Sequence, residues 1–138
     1  MVRPPKGGTH SETLLRCAQA LFEGGHLVDT TVMTQGKTFK AHGLVLAAYS
    51  SYFKAILTSE EGPTDVFVLD NLQLTSSAFK VILDYMYNGT LNVIEEDLKH
   101  VEHAAIQLQV GYLLSTIYEA LRTLGWFKFN TIILLQGF

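Results

Sequence analysis

The sequence predicts an α+β fold, a small mixed sheet flanked by a cluster of short helices, on three observations. Segments rich in Thr and Val, from Leu27 to Thr34 and from Lys37 to His42, flank Gln35-Gly36, the composition of a hairpin. A strand-like alternation from Thr38 to Ala41 runs straight into Leu44-Val45-Leu46-Ala47-Ala48, an apolar block too continuous for a half-exposed helix and therefore expected to be buried on most sides. Apolar residues recur at helical spacing before the hairpin and in several segments after it.

Residues 1–10, with Pro4, Pro5, Gly7 and Gly8, read as a disordered lead-in. From Ser11, the expected N-cap, Leu14, Leu15, Ala18, Leu21 and Phe22 fall on one helical face that ends at Gly24-Gly25. The later elements already supply a closed core, so part of this leading face lacks an intrachain partner. A second copy of the chain across a two-fold axis would satisfy it, which makes these five residues the expected homodimer interface. The hairpin follows, and then the apolar block as a buried helix. Ser50-Ser51 starts a second helix carrying Tyr52, Phe53, Ile56 and Leu57.

After the polar loop Glu60 to Asp65, Val66-Phe67-Val68-Leu69 reads as a short strand buried on both faces. Thr75 or Ser76 caps a helix in which Phe79, Ile82, Leu83 and Met86 share a face, and Asn88-Gly89 supplies the turn that ends it. Glu95, Glu96 and Asp97 crowd a helix start, where the dipole favours acids, and Leu98, Val101, Ala105 and Leu108 line that helix. Gly111 is expected to break it from a last helix with Leu113, Leu114, Ile117, Tyr118 and Leu121 inward. Residues 11–122 thus form the domain. Residues 123–138 form an apolar tail with Trp126, Phe127 and Phe129, in which Ile132 to Leu135 is expected to dock as an added strand on its own or a partner subunit.

Composition bounds the function. Of 138 residues, 48% are hydrophobic and only 17% charged, against a usual charged share of about 25%; an apolar interface follows from so little solvated surface. A net charge of −3 and a pI near 5.9 give no basic footprint, so direct nucleic-acid binding by this segment is not expected. The single cysteine, Cys17, excludes an internal disulfide framework or a zinc finger here, and reads as a reduced core or interface thiol. Met1 to His10 is no signal peptide, and no run approaches the roughly 18 apolar residues of a membrane span. The expected setting is intracellular.

No nucleophile elbow, phosphate-binding glycine loop or paired-carboxylate motif is present, so neither catalysis nor a cofactor, metal or small-molecule substrate is expected. His100 and His103 stand at i and i+3, but a structural zinc site needs four ligands and no cysteine pair completes it. His42, at a strand-to-helix junction, is expected to hydrogen-bond backbone. Asp29 is either paired with a cation such as Arg16 or Lys37 or partly exposed, because an unpaired buried carboxylate costs several kcal/mol.

The run Phe39-Lys40-Ala41-His42-Gly43-Leu44-Val45-Leu46-Ala47-Ala48-Tyr49-Ser50-Ser51-Tyr52-Phe53 resembles the signature of the BTB/POZ domain, with Gly43 where the family carries a basic residue. Val28-Asp29-Thr30-Thr31-Val32 and Tyr85-Met86-Tyr87-Asn88-Gly89-Thr90-Leu91 resemble two further family motifs, in the family's order. The resemblance implies the BTB/POZ fold, with His42, Tyr52 and Phe53 as structural signature residues and the leading helix at the centre of a two-fold dimer. It also implies a pocket at the dimer floor, here Asp29 and Gly43, used in some members for partner peptides.

Two functions follow from the resemblance. One is the homodimerisation module of a nuclear transcription regulator, a repressor that recruits corepressor peptides and can pair with other BTB domains. The other is a substrate adaptor for a cullin-type ubiquitin ligase. The loop Thr58 to Pro63 lacks the apolar residue that the cullin motif of kelch-type members places before its acid, which favours the first.

Overall fold

A computed structural model of the chain describes residues 9–61, 65–124 and 132–136. The lead-in over residues 1–8, Pro63 of the polar loop and the aromatic residues Trp126, Phe127 and Phe129 lie outside them, as does the side chain of Leu121.

The leading helix α1 spans His10–Glu23 and is capped by Thr9, not Ser11. Thr9 Oγ1 accepts the Glu12 N–H while the Glu12 carboxylate accepts the Thr9 N–H, both at 3.1 Å, a reciprocal box that satisfies two donors at once. Strands β1 (Thr30–Thr34) and β2 (Lys37–Ala41) pair antiparallel from Thr30 opposite Ala41 to Thr34 opposite Lys37. Gln35 and Gly36 turn between them with φ of 50° and 75°, the left-handed pair that matches the twist of a two-residue hairpin.

Helices α2 (Gly43–Tyr49) and α3 (Ser51–Leu57) follow. Ser50 joins them: its Oγ accepts the Phe53 N–H and donates to the Leu108 carbonyl, tying the pair to the C-terminal helices. Strand β3 (Val66–Val68) returns parallel to β1, giving the sheet order β2-β1-β3. Helix α4 (Ser76–Asn88) is capped by Thr75 and closed by Gly89 at φ 71°. Strand β4 (Thr90–Ile94), helix α5 (Leu98–Gln107), helix α6 (Gly111–Leu124) and strand β5 (Ile132–Gln136) complete the chain.

Helix α4 runs through the centre. It buries Ala78, Phe79, Ile82, Leu83, Tyr85, Met86 and Tyr87. Around it lie Val32, Leu46, Phe53, Leu91, Val101 and Leu113, all fully buried. Phe53 sets its ring edge-on to Phe67 at 5.0 Å and to Phe79 at 6.5 Å, so the signature phenylalanine joins sheet to central helix.

Several expectations change. Within the apolar block only Leu46 is fully buried and Leu44 is 80% exposed, because α2 turns one side to the core and the other outward. Val66 and Val68 are 48% and 57% exposed, and only Phe67 and Leu69 point in, because the other face of the sheet is uncovered: Met33, opposite Val68 on the central strand β1, is 38% exposed as well. Cys17 is exposed, not buried. Glu95 to Asp97 form a 3-10 turn ahead of α5. The break before α6 is made by Gln109 at φ 55°, with Gly111 already helical. On α6, Leu113 and Ile117 are buried, Leu114 is half-buried and Tyr118 faces out. The tail strand forms as expected, and β5 pairs antiparallel with β4 of its own chain.

Candidate functional site

The main surface feature begins with an omission: α1 is 14 residues long and strongly amphipathic, yet none of its residues is fully buried. Leu14 and Leu15 are 66% and 42% exposed, while Ala18, Leu21 and Phe22 are half-buried. The five expected interface residues therefore grade from covered at the C-terminal end of the helix to open at its N-terminal end. Leu14, Leu15 and Ala18 form one wall of a groove of about 310 Å³. Leu44, Val45 and Ala48 of α2 form the other, with Met86 and Tyr87 in the floor. Leu44, expected in the core, belongs instead to this surface.

Tyr87 holds the covered end of α1 in place. Its ring stacks on Phe22 with centroids 3.9 Å apart and planes 8° from parallel, and its carbonyl accepts Gln19 Nε2 at 2.7 Å. Its hydroxyl meets His42 twice, accepting the backbone N–H at 2.9 Å and lying 2.7 Å from Nδ1. His42 Nε2 is 2.9 Å from the His26 carbonyl, which can only accept, so in the neutral ring the proton sits on Nε2 and the tyrosine O–H donates to Nδ1. Burial pushes the Tyr87 phenol above its usual range. The expected backbone role of His42 is what the geometry gives. Tyr87 itself had no role in the sequence reading, although it stands in the run from Tyr85 to Leu91 that resembles a family motif, and its place there was the available signal. Tyr52, half-buried, packs edge-on to Phe53 at 5.5 Å.

Asp29 and Gly43 do come together, by a direct hydrogen bond. The Gly43 N–H donates to Asp29 Oδ1 at 2.7 Å and the Thr30 hydroxyl donates to the same oxygen at 3.0 Å. The bond from Gly43 is the main reason the Asp29 carboxyl lies below the ordinary carboxylate range, against a smaller opposing effect of burial. Lys37 is no partner: it pairs with Thr34 at the far end of β1, whereas Asp29 adjoins Thr30. Asp29 thus works as a capping acceptor at the start of α2. A Cβ on Gly43 would stand 2.9 Å from Thr30 Oγ1 and 3.5 Å from Leu57 Cδ1, so a side chain larger than glycine's would have to displace Thr30. Beside this contact is a recess of about 360 Å³ between Leu44, Ala47, Leu57 and Asp65. Leu44 borders both the groove and the recess.

His100 and His103 are exposed, and His103 Nε2 lies 3.3 Å from the Leu72 carbonyl. Among the described residues no helix is long and apolar enough to cross a membrane.

Comparison with known proteins agrees with this architecture. The family model of the BTB/POZ domain matches residues 18–124. Zinc finger and BTB domain-containing protein 44 of Xenopus tropicalis is 33% identical over 114 residues, 83% of this chain and 25% of that protein. Its Homo sapiens counterpart is 33% identical over 115 residues, 83% of this chain and 20% of that protein. The Longitudinals lacking protein of Drosophila melanogaster, isoforms A/B/D/L, is 34% identical over 101 residues, 73% of this chain and 13% of that protein. The chain thus spans a quarter or less of the length of these relatives. With six helices and a mixed three-stranded sheet among the described residues and a family match over most of its length, the chain belongs to the BTB/POZ domain family, a family of protein-interaction modules.

Proposed function

We propose that the chain is a non-catalytic homodimerisation module of a nuclear transcription regulator, and that the dimer presents a surface for a corepressor or similar peptide. Residues 11–122 are the domain and 123–138 an apolar extension. One observation carries the reading: an amphipathic helix with no buried residue, its open end forming an apolar groove with Leu44 of α2. Exposed leucines at this density on one face are costly to leave in water. A second copy about a two-fold axis would place the same face against itself, burying roughly 1,600 Å² in an interface of standard size. The named zinc-finger relatives support the transcriptional setting. Other BTB domains are alternative partners for the same face.

The test is size-exclusion chromatography with light scattering on the unmodified chain and on the variant carrying Leu14→Asp and Leu44→Asp. The unmodified chain is expected at about twice its 15.3 kDa mass and the variant at the monomer mass, with helical circular dichroism retained. Equal masses for the two would exclude the groove as the interface.

A further inference from the structure

The loop that leaves α3 carries the chain's only serine or threonine followed directly by two acids, Ser59-Glu60-Glu61. Helix α3 ends at Leu57, Thr58 caps it, and the residues from Thr58 to Glu61 are all exposed. Among the described residues neither Glu60 nor Glu61 has an ion-pair partner. Hydrogen bonding separates Ser59 from the other described hydroxyls that precede acids. Thr58 Oγ1 donates back to the Lys54 carbonyl at 2.6 Å, so its proton is committed to the helix. Thr116, three positions before Glu119, lies inside α6 and donates to the Tyr112 carbonyl at 2.8 Å. Ser11, before Glu12, lies in the first turn of α1 and shares a hydrogen bond with Thr9 Oγ1. Ser59 only accepts, from the Glu61 N–H at 3.3 Å, which leaves its own proton free. Its backbone belongs to neither helix nor strand, so an enzyme can draw it into a cleft without unwinding an element, as it would have to at Thr116 or Ser11.

We propose that Ser59 is a phosphoacceptor for a serine/threonine kinase whose substrate groove is basic at the two positions after the serine. Glu60 and Glu61 supply the recognition, as charge-assisted hydrogen bonds to arginine or lysine of such a groove. In the transfer Ser59 Oγ attacks the γ-phosphorus of ATP. The Oγ–P bond forms, the bond from that phosphorus to the β–γ bridging oxygen breaks, ADP leaves, and the hydroxyl proton passes to the base of the kinase. The phosphate adds roughly −1.5 to −2 charges at neutral pH and can accept the Glu61 N–H in place of the hydroxyl. That charge falls just past the negative end of α3. It also adjoins Thr58 on the rim of the recess of about 360 Å³, which already carries Asp29 and Asp65, so phosphorylation sets the recess against acidic partners. The assignment needs neither the α1 groove nor a dimer.

The test incubates the full chain with ATP and an acid-directed serine/threonine kinase of the casein-kinase type, and reads the product by intact-mass and fragment mass spectrometry. The expected product carries a single phosphate, on Ser59. Ser59→Ala is expected to lose at least about nine-tenths of the initial rate. The variant Glu60→Gln with Glu61→Gln keeps the acceptor and is expected to be labelled at least about tenfold more slowly, because two charged contacts to the groove are gone. Circular dichroism of both variants should match the unmodified chain, since all three side chains are exposed. A folded chain that stays unlabelled while the same kinase labels a control peptide would overturn the proposal. So would phosphate on Thr58, Ser11 or another residue in place of Ser59, or a glutamine variant labelled as fast as the unmodified chain.

Discussion

Helices α1 and α4 have nearly the same length, 14 and 13 residues, and both carry a clear apolar face, yet α4 buries seven of its residues and α1 none. Periodicity is the same in both; what differs is the supply of neighbours. Strand β4 and helices α2 and α5 pack against one side of α4, and Phe39 and Phe53 reach it from the hairpin and α3, whereas α1 meets the rest of the chain mainly through Phe22 and Gln19 on Tyr87. An amphipathic pattern specifies that a face must be covered, and leaves open whether the same chain covers it. In α4 the covering is intramolecular and stabilises the fold. In α1 the face is left open, and a second copy is what we propose covers it.

That contrast sets the order of expected effects. Phe79→Ala removes a fully buried ring from the centre of α4 and is expected to cost about 3–5 kcal/mol, read as a lower urea midpoint. An effect below about 1 kcal/mol would mean that the core does not depend on α4 as described. Tyr87→Phe keeps the stack on Phe22 but leaves the His42 N–H and Nδ1 without their hydroxyl partner, an expected loss of about 1–3 kcal/mol. If its urea midpoint is unchanged, the junction does not need that bond.

Asp29→Ala removes the acceptor at the start of α2, and a loss of about 1 kcal/mol at neutral pH is expected, as for other helix-capping acceptors. Its pH dependence has a definite sign. Because the folded carboxyl titrates below its unfolded value, its contribution is present above the unfolded pKa and is lost as pH falls through the folded one. The stability difference between unmodified chain and variant should therefore close in acid. A difference that persists below the ordinary carboxylate range would show that the charge is not what matters.

The sequence made the α+β class, the hairpin, the central helix and the closing helices legible because each rests on a local period or turn pair, such as Gln35-Gly36 or Asn88-Gly89. What it left hidden was which neighbour covers which face. Leu44 to Ala48 is continuous in apolarity, and nothing in such a run separates Leu46 in the core from Leu44 in the groove. The same holds for Val66 and Val68, exposed together with Met33 of the central strand because their face of the sheet is uncovered. The role of Tyr87 depends on contacts to residues 45 and 68 positions away, beyond any local window. Asp29 was read as either paired with a cation or partly exposed; it is exposed, and a backbone N–H brought in by the β2–α2 junction, which no local pattern announces, meets its carboxylate. Thr9 displaced Ser11 as cap because the box requires Glu12 three positions on.

Sedimentation equilibrium of the unmodified chain tests the central claim most directly, since it asks whether the face that α1 leaves open is closed by a second copy. At micromolar concentration the account expects a single species of about twice the 15.3 kDa chain mass. A well-folded monomer persisting at those concentrations would contradict it.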